Sequence, residues 1–210
     1  VRPAQEAAQT EIDQRGIQVG TKVVIAEDEA LIRLDVKEML EEEGYEVVGE
    51  TGRGDEAVTL VEQHSADLAV LDIRMPGLDG LSAARQIAEK GETAVVILTA
   101  FSQRNLIEEA RDAGVLAYLA KPFRKDELVS AIEVAMARFR EMKALESENH
   151  DLQEKLETRK AVDRAKGLLM DELGWTEEQA FVWIRSTAMD HRVKMKIIAN
   201  EVINGERKPS

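Results

Sequence analysis

Four short stretches of this chain end on side chains that could together move a phosphoryl group. The apolar run KVVIA (22–26) is followed by Glu27 and Asp28, and DLAVLD (67–72) ends on Asp72 shortly before Met75-Pro76-Gly77. AVVILT (94–99) ends on Thr99, and LAYLA (116–120) runs into Lys121-Pro122. A carboxylate at the end of a core strand is hard to solvate, so it needs a chemical reason to be there. Asp72 has the properties of a nucleophile. Asp28, Asp72 and a backbone carbonyl near Arg74 could hold a small hard cation, with Glu27 reaching it through water; Mg²⁺ prefers such oxygen ligands. A cation there offsets the repulsion among the carboxylates and neutralises charge on the group being transferred, which is most of what phosphoryl transfer requires. Lys121 would supply a point charge to a phosphoryl oxygen, and Thr99 a hydroxyl.

These groups meet only if the strands they terminate share an edge. Between Lys22 and Ala120 five apolar runs, the fifth being EVVGE (46–50), alternate with helix-like segments at 30–43, 55–64, 80–90 and 102–113. Gly44, Gly91 and Gly114 stand where helices should stop. Continuous apolar strands alternating with helices imply an α/β fold: a five-stranded parallel, doubly wound, flavodoxin-like sheet with helices on both faces. Such sheets bind ligands outside the carboxyl ends of their strands, and a strand order of 2-1-3-4-5 would bring the four ends above to one edge.

Beyond Pro122 there is no proline until Pro209. The stretch 124–155 reads as one long helix. Phe139, Met142, Leu145, Asn149, Leu152 and Leu156 step by three and four residues, a heptad seam with one polar position. The pattern then continues as three helices at 156–172, 176–190 and 194–204, with Gly174 as a break and Thr176 and Gln179 as a capping box. This predicts a small all-α three-helix domain.

Composition limits the function classes. The chain has 210 residues, no cysteine, and three histidines without metal-ligand spacing, which excludes disulfides and thiolate metal sites. No apolar run approaches a membrane span, and residues 1–20 lack the apolar core of a signal peptide; they read as a loosely ordered tail of a cytoplasmic protein. The net charge of −13 is uneven: residues 155–210 hold 11 Lys and Arg against 9 Asp and Glu, a balance of +2, which leaves −15 for the rest. The C-terminal part is therefore free to approach phosphates.

The acidic pair Glu27-Asp28, Asp72 before Met-Pro-Gly, Thr99-Ala100 and Lys121-Pro122-Phe123 closely resemble the receiver domain of two-component response regulators. The resemblance implies that Asp72 is phosphorylated by a sensor histidine kinase, that Thr99 and Lys121 assist, that Mg²⁺ is the cofactor, and that Lys121-Pro122 is a cis peptide. It further implies a switch in which Thr99 is drawn to the phosphoryl oxygens and Tyr118 moves into the vacated space. The one mild departure is Glu27, where Asp is frequent.

Residues 157–203 closely resemble the ANTAR domain, an RNA-binding antitermination module, through Ala165-Lys166-Gly167, Leu169-Met170, Glu178, Ala180-Phe181, Ile184-Arg185, Ala188-Met189 and Ile198-Ala199. The expected organisation is a tail (1–20), a receiver (21–125), a linker or coiled-coil helix (126–156) and an ANTAR domain (157–205). The resemblance implies binding of paired stem-loops in leader RNA and transcription antitermination, with RNA polymerase affected indirectly. Two charge clusters, Arg159, Lys160, Arg164 and Lys166, and Arg192, Lys194 and Lys196, are candidate phosphate contacts. Trp183 and Arg185 are candidate stacking surfaces for unpaired bases. Gly167 inside a helical pattern costs about 1 kcal/mol relative to Ala and suggests close approach of another backbone or a ligand. Ala180, Phe181, Ile184, Ala188 and Met189, at helical spacing, are expected in the core. Two linked domains binding two loops would compensate for the weak local charge, so a homodimer is expected on phosphorylation. The different-class alternative is a DNA-binding transcriptional regulator. A phosphatase, and hence an enzyme, is disfavoured because Arg74 stands where its general acid would be.

Overall fold

A computed structural model of the chain describes residues 20–100, 109 and 111–209. The expected tail up to residue 19, and residues 102–108 and 110 of the helix expected at 102–113, lie outside the described residues. The chain divides into two compact units, Val1–Glu141 and Met142–Ser210.

In the first unit the elements run β1 (Lys22–Ala26), α1 (Ala30–Glu42), β2 (Glu46–Thr51), α2 (Gly54–His64), β3 (Leu68–Asp72), α3 (Gly80–Lys90), β4 (Ala94–Thr99) and β5 (Ala117–Ala120), and then α4 (Lys125–Leu173) begins. The five strands are parallel in the order β2-β1-β3-β4-β5, the doubly wound order expected from the sequence. The strands are apolar throughout because both faces are covered, and alternate residues go to opposite cores. On one face Val23, Ile25, Leu68, Val70, Val96 and Leu98 pack with Val36 and Leu40 of α1 and Leu128 and Ile132 of α4. On the other, Val24, Ala26, Leu71, Val95 and Ile97 pack with Ala57 and Val61 of α2 and Ala84 and Ile87 of α3.

The second unit comprises the rest of α4, α5 (Glu177–His191) and α6 (Met195–Ile203). The capping box of α5 is formed: Gln179 N donates to Thr176 Oγ1 (3.2 Å) and Thr176 N to Gln179 Oε1 (2.9 Å). Val162, Ala165 and Leu169 of α4 make a core with Ala180, Ile184 and Ala188 of α5 and Ile198, Ala199 and Val202 of α6.

Two expectations are corrected. The separate helices expected at 124–155 and 156–172 are one uninterrupted helix, α4. No proline interrupts that segment, and Gly167 alone does not break the hydrogen-bond ladder. The change of pattern near residue 156 marks a change in what the helix touches. In α5, Phe181 and Met189 are not core: they are 37% and 67% exposed, whereas Ala180, Ile184 and Ala188 are buried. Burial follows a strict i, i+4, i+8 stripe; Phe181 and Met189 each sit one residue past it, rotated about 100° around the helix.

Candidate functional site

Parallel strands in this order deliver four chain ends to one edge of the sheet. Glu27 and Asp28 follow β1, Asp72 closes β3, Thr99 closes β4, and Lys121 follows β5. Neighbouring registers keep them level: Asp72 is opposite Leu98, Thr99 is opposite Ala120, and Lys121 N donates to Thr99 O (2.7 Å). The Lys121-Pro122 peptide is cis.

Lys121 Nζ lies 2.5 Å from Glu27 Oε2 and 2.9 Å from Asp72 Oδ1, with its side chain 12% exposed. Glu27 is fully buried, and its other oxygen accepts from Glu29 N (3.3 Å). Burial pushes the Glu27 carboxyl above the ordinary range; the Lys121 hydrogen bond pulls it back, and the nearby Asp72 charge pushes it up again. Burial works to lower the Lys121 ammonium, but its bonds to Glu27 and Asp72 prevail and hold it above the usual lysine value. One ammonium thus shares two carboxylates. Oxygens of Glu27, Asp28 and Asp72 all lie within 4.8 Å of one another. Asp28 is exposed, so this donor set of three carboxylates and one open side suits a hard divalent cation that keeps several waters.

The loop after β3 borders the site. Arg74 N donates to Asp72 Oδ2 (3.0 Å), and Arg74 and Asp28 line a common cleft of about 830 Å³. Arg33 Nη1 donates to the Glu27 carbonyl (2.5 Å), tying α1 to the end of β1. Thr99 is buried at the site's edge, and Tyr118 is 47% exposed on β5. Gly80 is a position whose role the sequence did not disclose. A Cβ there would fall 1.9 Å from Asp72 O, so α3 begins in backbone contact with the residue at the centre of the site.

The second unit carries its own feature, a groove of about 1100 Å³ formed by α4, α5 and α6. Of the basic candidates, it brings together Arg159, Lys166 and Lys194, with Gly167 beside them. Lys160, Arg164, Arg185, Arg192 and Lys196 do not line it. No backbone crowds Gly167: nothing lies within 4 Å of where its Cβ would be, so that half of the expectation is corrected and the position is open space. Val162, Met170, Phe181 and Met195 give the groove its apolar surface, so Phe181, expected in the core, lines the groove instead. Trp183 belongs elsewhere, edge-on to Trp175 at 6.2 Å between ring centroids, with both rings partly buried.

Comparison with known proteins adds three findings. The family model of the response regulator receiver domain matches residues 23–133, and that of the ANTAR domain matches residues 150–203. The transcriptional regulatory protein PdtaR of Mycobacterium tuberculosis is 57% identical over 185 residues, covering 88% of this chain and 90% of PdtaR; the chemotaxis protein CheY of Bacillus subtilis is 33% identical over 53% of this chain and 93% of its own. Among solved structures, the receiver domain of the response regulator NarL from Mycobacterium tuberculosis superposes with a TM-score of 0.54 at 30% identity, covering 56% of this chain and 97% of that one. Among the described residues no helix is long and apolar enough to cross a membrane.

Proposed function

The chain belongs to the response regulators, with a receiver domain followed by an RNA-binding ANTAR domain, and on that premise we propose that phosphorylation of Asp72 by a sensor histidine kinase controls RNA binding and transcription antitermination. The observation that carries the proposal is the Lys121 ammonium held between Asp72 and Glu27 at the strand ends. An Asp72 carboxylate oxygen attacks the phosphorus of a phosphohistidine. The new O–P bond forms as the P–N bond breaks, and the electron pair leaves with the imidazole. Lys121 already touches Asp72 Oδ1, so its ammonium needs only a small shift to meet a phosphoryl oxygen, while Glu27 keeps hold of it. Glu27, Asp28 and Asp72 are the residues that would hold Mg²⁺, which when bound supplies charge neutralisation for the transferred group. Thr99 and Tyr118 are the proposed switch pair: the hydroxyl moves toward the phosphoryl oxygens, and the exposed ring moves inward.

The output is proposed to work as a homodimer. Leu145, Leu152 and Leu156 are 60%, 58% and 52% exposed on α4, an apolar stripe uncovered among the described residues. Of the groove's residues on α4, Glu154 lies about 200° around the helix from Leu152, whereas Arg159, three residues after Leu156, borders the stripe. Two linked grooves binding two stem-loops gain affinity through effective concentration. With beryllofluoride, an acyl-phosphate mimic, sedimentation should show the mass of the wild type double. Leu152→Asp should stay monomeric and bind a two-loop RNA about a hundredfold more weakly. An unchanged mass together with unchanged RNA affinity ends the dimer reading. Preference for duplex DNA over loop RNA ends the RNA reading.

A further inference from the structure

Three of the four basic groups that line the groove in the second unit, Arg159, Lys166 and Lys194, already have partners. Lys166 Nζ sits 2.7 Å from both Asp163 Oδ1 and Glu177 Oε1, with its side chain only 14% exposed. Lys194 Nζ sits 2.5 Å from Glu154 Oε1, across 40 residues of sequence. Asp163 and Glu177 hold the Lys166 ammonium above its usual value, and Lys194 holds the Glu154 carboxyl below the usual carboxylate range. The outward-facing cations differ: Lys160, Arg164, Arg185 and Arg192 take part in no ion pair among the described residues. Of the groove's three lysines, Lys166 is nearly enclosed between two carboxylates, Lys194 is exposed but paired with Glu154, and Lys155 takes part in no ion pair among the described residues.

We infer that Glu154 and Glu177 are specificity residues of the RNA groove, internal competitors that keep Lys194 and Lys166 from indiscriminate phosphate contact. The inference rests on the RNA-binding reading of this unit. An RNA phosphate reaching Lys166 must displace Asp163 or Glu177 and approach the other, and one reaching the exposed Lys194 must share its ammonium with Glu154. Exposed ion pairs are individually weak, so the exchange is feasible, but a bare backbone gains little by it. A ligand that also fills the space above Gly167, against Met170 and Phe181, has apolar contact to offset the displacement. Contacts to phosphate carry affinity without sequence information, so suppressing them raises the share of binding that depends on base shape.

The test uses the full chain and a single-stranded oligouridylate of roughly 20 nucleotides as the indiscriminate probe, long enough to span one binding site. The variant Glu154→Gln/Glu177→Gln should bind it about tenfold more tightly than wild type near 0.1 M salt. The plot of log affinity against log salt should steepen by roughly 1.4, the equivalent of two recovered contacts on a single strand. Adding Lys166→Ala/Lys194→Ala to that variant should return affinity to the wild-type level. The control Asp171→Asn/Glu178→Gln removes the same two charges from exposed positions without ion pairs, and should change affinity less than twofold. An equal gain in the control overturns the inference in favour of bulk charge. No gain in the Gln variant, while the lysine substitutions weaken wild-type binding, overturns it and leaves the RNA reading intact. Failure of every variant to bind RNA overturns both.

Discussion

Asp72→Asn should accept no phosphoryl group from acetyl phosphate or from a phosphorylated kinase, and should keep its fold. The amide has the shape of the carboxylate but not its nucleophilic oxygen, and the other carboxylate that Lys121 holds, Glu27, is fully buried. Stability should be unchanged or slightly higher. Asp72's charge is one of the causes that push the Glu27 carboxyl up, so removing it brings that group closer to its ordinary value. The sign follows from linkage: a carboxyl whose pKa is raised on folding makes the folded state less stable once it is ionised, and that penalty disappears as pH falls through the raised value. Asp72→Asn therefore reduces the penalty at neutral pH, and its denaturation midpoint should gain less than wild type's on going from pH 7 toward pH 5. Lys121→Met should do the reverse. It leaves Glu27 buried and facing Asp72 without its cation, a loss of about 3 kcal/mol on the scale of broken buried pairs. Phosphoryl uptake by an unimpaired Asp72→Asn protein would remove the basis for the site.

Which of these features could be read in the sequence follows from how local their causes are. The strands were legible because burial on both faces demands unbroken apolar runs, and β1 and β4 match the expected limits without adjustment. Asp72, Lys121 and Glu27 were legible because each terminates such a run, so one topological rule unites them. The ion pairs of the groove were not, since Lys166 and Glu177 stand 11 residues apart and Lys194 and Glu154 stand 40 apart, with nothing in either segment naming the other. Phe181 and Met189 were misplaced for a different reason: an apolar residue at the margin of a helical stripe carries the same periodicity signal as one inside it. Gly80 was legible as a helix start, but the carbonyl it touches belongs to a different element.

That contact gives Gly80→Ala an effect opposite to its local propensity. Alanine is favoured over glycine in a helix by about 1 kcal/mol and also narrows the unfolded ensemble, so α3 considered alone predicts stabilisation. The added Cβ would meet Asp72 O at 1.9 Å, Asp72 C at 2.8 Å and Ile73 Cα at 3.0 Å. All three are backbone atoms of the end of β3 and the residue after it, and no side-chain rotation relieves the overlap. Either α3 lifts from the sheet or the Asp72 backbone shifts, and in both cases the carboxylate leaves its position 2.9 Å from Lys121. Overpacking of this kind costs about 3 kcal/mol, which exceeds the propensity gain, so the receiver's urea transition should move to lower concentration and phosphoryl uptake should fall with it. Gly167→Ala is the matched control. It is also a glycine within a helix, but nothing lies within 4 Å of its Cβ position, so the propensity term acts alone and stabilises by about 1 kcal/mol. Opposite signs for the same substitution at the two glycines would tie the geometry of the phosphoryl site to the seating of α3. A stabilised Gly80→Ala protein with full phosphoryl uptake would show that α3 is not what holds Asp72 in place.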